Sequence, residues 1–150
     1  MAEQANYLYD ADLALKTAGL IAASAAVATV VDVGSATAFF KGEVVIDVTA
    51  LEIASNDEIY DIVLQGSTVA AFATDTAIEE LCSITLSAAE VKRTDSNSDS
   101  TTGRYIMPYT NERNGTLYRY LRLYTIVAGT IATGINYKAY LSVSKQRGGG

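Results

Sequence analysis

A chain of 150 residues suggests one domain, and at that size about two-thirds of the unfolded surface can be buried without disulfide or metal staples. Lys and Arg total 11 against 17 Asp and Glu, for a formal net charge of -6; this argues against nucleic acid or an anionic membrane as the partner, because such binders gather positive charge. Histidine and tryptophan are absent and Cys82 is the single cysteine. That excludes an imidazole base, a Ser-His or Cys-His pair, an intramolecular disulfide and a thiolate zinc cluster, and no cofactor is expected. The composition fits a binding or structural protein better than an enzyme.

Residues 1–12 read as an N-terminal arm. Tyr7, Tyr9, Asp10 and Asp12 precede the first clear strand, and aromatics stranded in a terminus are expected to reach a neighbouring subunit. The run Ala18 to Val31 is apolar and rich in small residues. Acidic Glu3, Asp10 and Asp12 precede it against Lys16 alone, the wrong balance for a secretory signal. It is also too short to span a bilayer. It reads as a small-residue loop leading into a short strand, Thr29 to Val33. Phe39 and Phe40 follow; in extended chain one ring faces the core and the other solvent, so one is a candidate partner anchor.

Period-2 alternation dominates the remainder. In Glu43 to Thr49, Val44, Ile46 and Val48 share a face. After a loop at Ser55-Asn56-Asp57, Glu58 to Gln65 places Tyr60, Ile62 and Leu64 together. A helical turn is expected near Thr68 to Phe72 or Ala77 to Leu81. In Leu81 to Leu86, Cys82 alternates in register with Ile84 and Leu86, the setting of a buried, inert thiol. The pairs Asp57-Glu58 and Glu79-Glu80 read as solvated surface, since adjacent strand residues point to opposite faces.

Asp95-Ser96-Asn97-Ser98-Asp99 matches the opening of a calcium loop. The turn position, however, holds Ser100 in place of Gly, and the twelfth holds Ile106 in place of Glu. It reads as a polar loop, and no metal is expected. Arg104 to Tyr109 is a further short strand. Asn114-Gly115 suits a tight turn, which also accounts for the sequon Asn114-Gly115-Thr116.

In Leu117 to Val127, tyrosines interleave with arginines as on a single-strand nucleic-acid platform. As a strand, however, Tyr118, Tyr120, Arg122, Tyr124 and Ile126 share one face, while Arg119, Leu121, Leu123, Thr125 and Val127 share the other. The arginines are split and make no basic stripe. The Leu121 face reads as core, and the face of Tyr120, Arg122 and Tyr124 is a candidate for cover by another strand, a loop or a subunit. Gly129 and Gly134 bracket a connection to a last strand, Asn136 to Ser144, before a flexible tail, Lys145 to Gly150. Many short strands and few helices predict an all-β fold, an antiparallel β-sandwich or a barrel, with at most one or two helical turns. The expected domain spans residues 13–144.

Several stretches together resemble the capsid cement, or decoration, proteins of tailed bacteriophages. They are Ser24 through Asp32-Val33-Gly34, Ile62 to Ser67 with Ala71-Phe72, and Gly103 to Pro108. The closest likeness is Asn111-Glu112 through Tyr118 to Tyr124, continuing into Val127 to Thr130 and Gly134-Ile135-Asn136. The pattern is similar to the small jelly-roll cement proteins of short-tailed phages, covers about Leu13 to Ser144, and leaves Asp95 to Thr102 as an insertion. The resemblance implies a jelly-roll sandwich without catalytic residues on the outer capsid surface of a virion. Its partners would be major capsid subunits and further copies of itself, as a homodimer or alternatively a trimer. A carbohydrate-binding or adhesin-like sandwich is the alternative reading, and a hydrolase using paired carboxylates needs no histidine either.

Overall fold

A computed structural model describes residues 11–73, 78–91 and 98–143. Their strands, in chain order, are β1 (Ala14–Lys16), β2 (Leu20–Ile21), β3 (Ala25–Ala26), β4 (Val31–Asp32), β5 (Lys41–Leu51), β6 (Ile59–Ser67), β7 (Ile78–Ser87), β8 (Gly103–Thr110), β9 (Glu112–Arg113), β10 (Thr116–Leu117), β11 (Tyr120–Ala128) and β12 (Ile135–Val143). Among the described residues, single turns of 3-10 helix lie at Ala11–Leu13 and Ala89–Val91.

Antiparallel pairing builds two sheets. In one, β12, β5 and β8 follow in order, and both β1 and β2 pair with β12; in the other, β11, β6 and β7 follow in order, and both β3 and β4 pair with β11. Counting β1–β2 as one interrupted strand, β3–β4 as the next, and setting aside the β9–β10 hairpin leaves eight strands. Their order is 1-8-3-6 in one sheet and 2-7-4-5 in the other, which is the jelly-roll arrangement of two face-packed sheets.

Alternation sets the register because one face of each sheet is buried. Val44, Ile46 and Val48 of β5 meet Tyr137, Ala139 and Leu141 of β12 and Met107 and Tyr109 of β8. Across the interior lie Tyr60, Ile62 and Leu64 of β6, Leu86 of β7, and Leu121 and Leu123 of β11. The predicted strands over residues 43–49, 58–65, 81–86, 104–109 and 136–144 are thus present, most of them longer than expected, with Ser144 outside the described residues.

Three local expectations are corrected. The run at residues 18–31 is not a loop before one strand: it contributes β2, β3 and the start of β4, the short edge strands of both sheets. Small side chains let the backbone hop from sheet to sheet there, and Lys16 anchors the start, its ammonium donating to the carbonyls of Thr17, Gly19 and Tyr137 at 2.9, 2.9 and 2.8 Å. Those bonds use all three of its donors. Second, no helix forms at residues 78–81, where β7 has already begun; near Thr68 to Phe72 the chain makes a turn closed by Phe72 N–H donating to Val69 O at 3.1 Å. Third, Tyr118 does not share the outer face of Tyr120. The strand begins only at Tyr120, the preceding bend breaks alternation, and Tyr118 is buried over Gly66, where an added Cβ would lie 2.8 Å from the Tyr118 Cβ.

The connections gather at two ends. At one end lie the described segments 22–24, 52–58, 88–91, 98–102 and 129–134; at the other lie 33–40, 68–73 and 111–119. The β9–β10 hairpin at the second end turns through Asn114 (φ 51°) and Gly115 (φ 82°), the left-handed pair that an Asn-Gly turn favours.

Candidate partner-binding surfaces

The outer face of β11 carries Tyr120, Arg122 and Tyr124, all half-buried. Tyr120 stands across from Ser67 and Asp32, Arg122 across from Gln65, and Tyr124 across from Val63 and Ala26. Arg122 Nε donates to Gln65 Oε1 at 2.9 Å, and its guanidinium lies 4.2 Å from the centroid of the Phe72 ring. Burial against this ring lowers the Arg122 pKa from its ordinary value. Phe72 is held at φ 49° and buried, so the β6–β7 connection covers part of the face that alternation exposes. Arg119 sits beside this row, donating to both Asp32 carboxylate oxygens at 2.7 and 3.0 Å while its guanidinium lies 5.3 Å from the Tyr120 ring centroid. Of the two arginines singled out by sequence, each has a partner within the chain.

Phe39 is 55% exposed and Phe40 half-buried. A residue that sequence reasoning passed over holds them in place. Asn111 is fully buried. Its Oδ1 accepts from Phe40 N–H at 2.7 Å, and its Nδ2 donates to Ala38 O at 2.8 Å and Tyr118 O at 3.1 Å. Its backbone adds bonds to Phe40 O and from Tyr118 N–H. One amide side chain therefore satisfies two carbonyls and one N–H that would otherwise be stranded, and Phe39 projects from a fixed backbone. The only hint in the sequence is an Asn placed between a strand and a hairpin.

Two more large apolar side chains are exposed along the edge formed by residues 18–31: Leu20 at 60% and Val30 at 37%. From Thr17 to Val31 this edge carries no charged residue. The opposite edge is better closed. There Arg113 donates to Glu80 O and pairs with Glu79, Ser100 bonds both backbone groups of Ser87, and Pro108 removes one N–H from within β8. Proline and capped backbone groups are the usual means of blunting a sheet edge.

The adjacent carboxylates make no facing pair. Glu79 pairs with Arg113, and Glu58, read from sequence as solvated, is fully buried. It is buried because its carboxylate turns back to accept Ser55 N–H at 2.6 Å and Asp57 N–H at 3.1 Å. Asp57 accepts both N–H and hydroxyl of Thr130, each at 2.9 Å. Glu52, which the sequence did not single out, accepts N–H from Ala132, Thr133 and Gly134 and the Thr133 hydroxyl. Asp99, the last residue of the calcium-like motif, accepts Ala89 N–H at 2.8 Å; Asp95 to Asn97 lie outside the described residues. Cys82 is half-buried and burial pushes its thiol up to about 12, a setting that disfavours the thiolate.

Of the arm residues, Asp12 is exposed in the first 3-10 turn, while Tyr7, Tyr9 and Asp10 lie outside the described residues, as does the tail at 145–150. Among the described residues no helix is long and apolar enough to cross a membrane, and no group of three or more His, Cys, Asp or Glu side chains is placed to hold a metal ion. No protein-family model and no curated protein matches the chain.

Proposed function

We propose that this chain is a structural virion protein that binds the outer surface of a tailed-phage capsid and cements neighbouring major capsid subunits against the pressure of packaged DNA. The observation that carries the reading is the jelly-roll strand order, found in the chain whose segment from Asn111 to Asn136 bears the closest resemblance to capsid cement proteins. A mechanical role suits a sandwich whose loops are fastened to one another at both ends, by Asn111 at one and by Glu52 and Asp57 at the other. Phe39, 55% exposed on a fixed backbone, is an anchor for a capsid subunit, and large rigid side chains of this kind dominate interface energetics. Pairing with a second copy would let each bivalent unit grip two sites already fixed in the shell, so that modest contacts gain avidity. The protein would be made in the host cytoplasm and reside on the outside of the particle.

The test is direct. Capsids assembled without the protein should disrupt at lower temperature, and purified protein added back should bind and restore resistance. Light scattering of the free protein would separate dimer from trimer. Capsids of unchanged stability that take up none of the added protein would end the proposal.

A further inference from the structure

The two ends of the sandwich are fastened by different chemistry, and one of them is open to protons. Glu52 and Asp57, both in the β5–β6 connection, hold the β11–β12 connection through its backbone. Thr133 and Gly134 N–H each approach Glu52 Oε2 at 2.6 Å, Ala132 N–H approaches both oxygens at 3.0 Å, and Thr130 is bonded to Asp57. Neither carboxylate has a cation among its described partners. Among the described residues, the titratable groups beside them are the Tyr60 hydroxyl, which donates to Glu52 O at 2.9 Å, and the buried Glu58 carboxylate, itself bonded to Ser55 and Asp57 N–H. The fastening thus consists of backbone dipoles aimed at two negative charges, which require the deprotonated form.

We propose that this end is an acid-released latch. On protonation of Glu52 and Asp57 the 129–134 connection lifts from the 52–58 connection as a local unit, while the other end and the β-sheets stay intact. Backbone N–H bonds from Gly134, Thr133 and Ala132 hold the Glu52 carboxyl below its ordinary pKa, and Thr130 does the same for Asp57. The sign follows: a carboxylate with a depressed pKa stabilises the fold above its unfolded value, and that contribution is lost as pH falls through the folded value. The release has a packing consequence. Gly134 is pressed against Ile21 O and Gly129 against Asp57 O, and Ile131 packs on the core, so lifting the loop would expose apolar surface beneath it. At the other end the buried fastener is the Asn111 amide, which has no proton to gain or lose in this range; Asp32, also held below its ordinary pKa there, is an exposed partner of Arg119 and Gly34 N–H and does not touch the Asn111 bonds.

Residue-resolved amide exchange of the intact protein, corrected for intrinsic rate, tests the latch. Between about pH 6 and about pH 3, protection of the Thr130, Thr133 and Gly134 amides should fall by roughly tenfold or more, while the Phe40, Asn111 and Tyr118 amides keep theirs. Glu52→Gln alone, and with Asp57→Asn, should show the low-pH loop behaviour already near neutrality. Simultaneous loss of protection at both ends in the wild type, or a loop as protected in Glu52→Gln as in the wild type, would overturn the proposal. The experiment needs no capsid, so its outcome is independent of the cement reading.

Discussion

The two ends of the jelly roll solve the same problem in two ways. Each must hold loops that cross between sheets, and each does so by pointing a side chain at the backbone of a neighbouring loop. At one end the side chain is a buried neutral amide, Asn111, which both donates and accepts. At the other the side chains are the Glu52 and Asp57 carboxylates at the solvent boundary, which only accept. A neutral fastener must be buried to be strong, since an unmet partner there costs more than at the surface. A charged one works near water but depends on pH. The difference divides a single fold into an end whose loops are held by carboxylates alone and an end whose buried fastener is neutral, with the exposed Asp32–Arg119 pair beside it.

The largest effect should come from breaking the packing under the charged fastener. Gly134 sits at φ 90°, and a Cβ there would lie 2.0 Å from Ile21 O. Because the obstacle is backbone, Gly134→Ala should destabilise by about 3 kcal/mol or more, measured by denaturant unfolding. A loss under 1 kcal/mol, on the order of an ordinary surface change, would mean that the loop is looser than described.

Asn111→Ala should cost nearly as much at the other end, about 3 kcal/mol, because it strands Phe40 N–H and the carbonyls of Ala38 and Tyr118. Its cost should not change between acid and neutral pH. Asn111→Asp sharpens the comparison by moving a carboxyl to the neutral end. Its second oxygen would face the two carbonyls now served by Nδ2, so the charged form is disfavoured and the folded pKa is raised. Stability should then fall as pH rises, opposite in sign to the behaviour set by Glu52. A variant that gains stability on going from acid to neutral pH would contradict the geometry at Asn111.

How much of this was legible in the sequence differs between the sheets and the ends. Val44, Ile46 and Val48, or Tyr137, Ala139 and Leu141, declare their face through alternation, because burial of one sheet face is a periodic constraint. The fasteners are not periodic. Nothing local distinguishes Glu52, which reaches residues 132–134, from an ordinary surface glutamate, and Glu58 looked solvated because its two partners are backbone N–H groups. The edge at residues 18–31 was misread for a related reason: strands of two residues are shorter than the period that would reveal them. Alternation leaves open which of Phe39 and Phe40 is exposed and what covers Arg122, and it misplaces Tyr118, because a bend and a covering loop are not periodic.

The smallest effect concerns that covering loop, which belongs to the neutral end. Phe72 lies under the Arg122 guanidinium and is held at φ 49°, a conformation that costs a residue bearing a Cβ roughly 1 kcal/mol. Two opposing terms therefore meet in one side chain. Removing the ring forfeits the cation–ring contact, worth about 1 kcal/mol in a half-buried setting; removing the Cβ as well returns the backbone strain. Phe72→Ala should accordingly be less stable than Phe72→Gly by about 1 kcal/mol, the reverse of the order expected inside a strand. Combining Phe72→Ala with Arg122→Met should cost less than the sum of the two changes, by about 1 kcal/mol, since the contact can be lost only once. Thermal unfolding of the four variants measures both quantities. Additive losses, or alanine more stable than glycine at position 72, would show that the loop does not hold Arg122 in the way its geometry indicates.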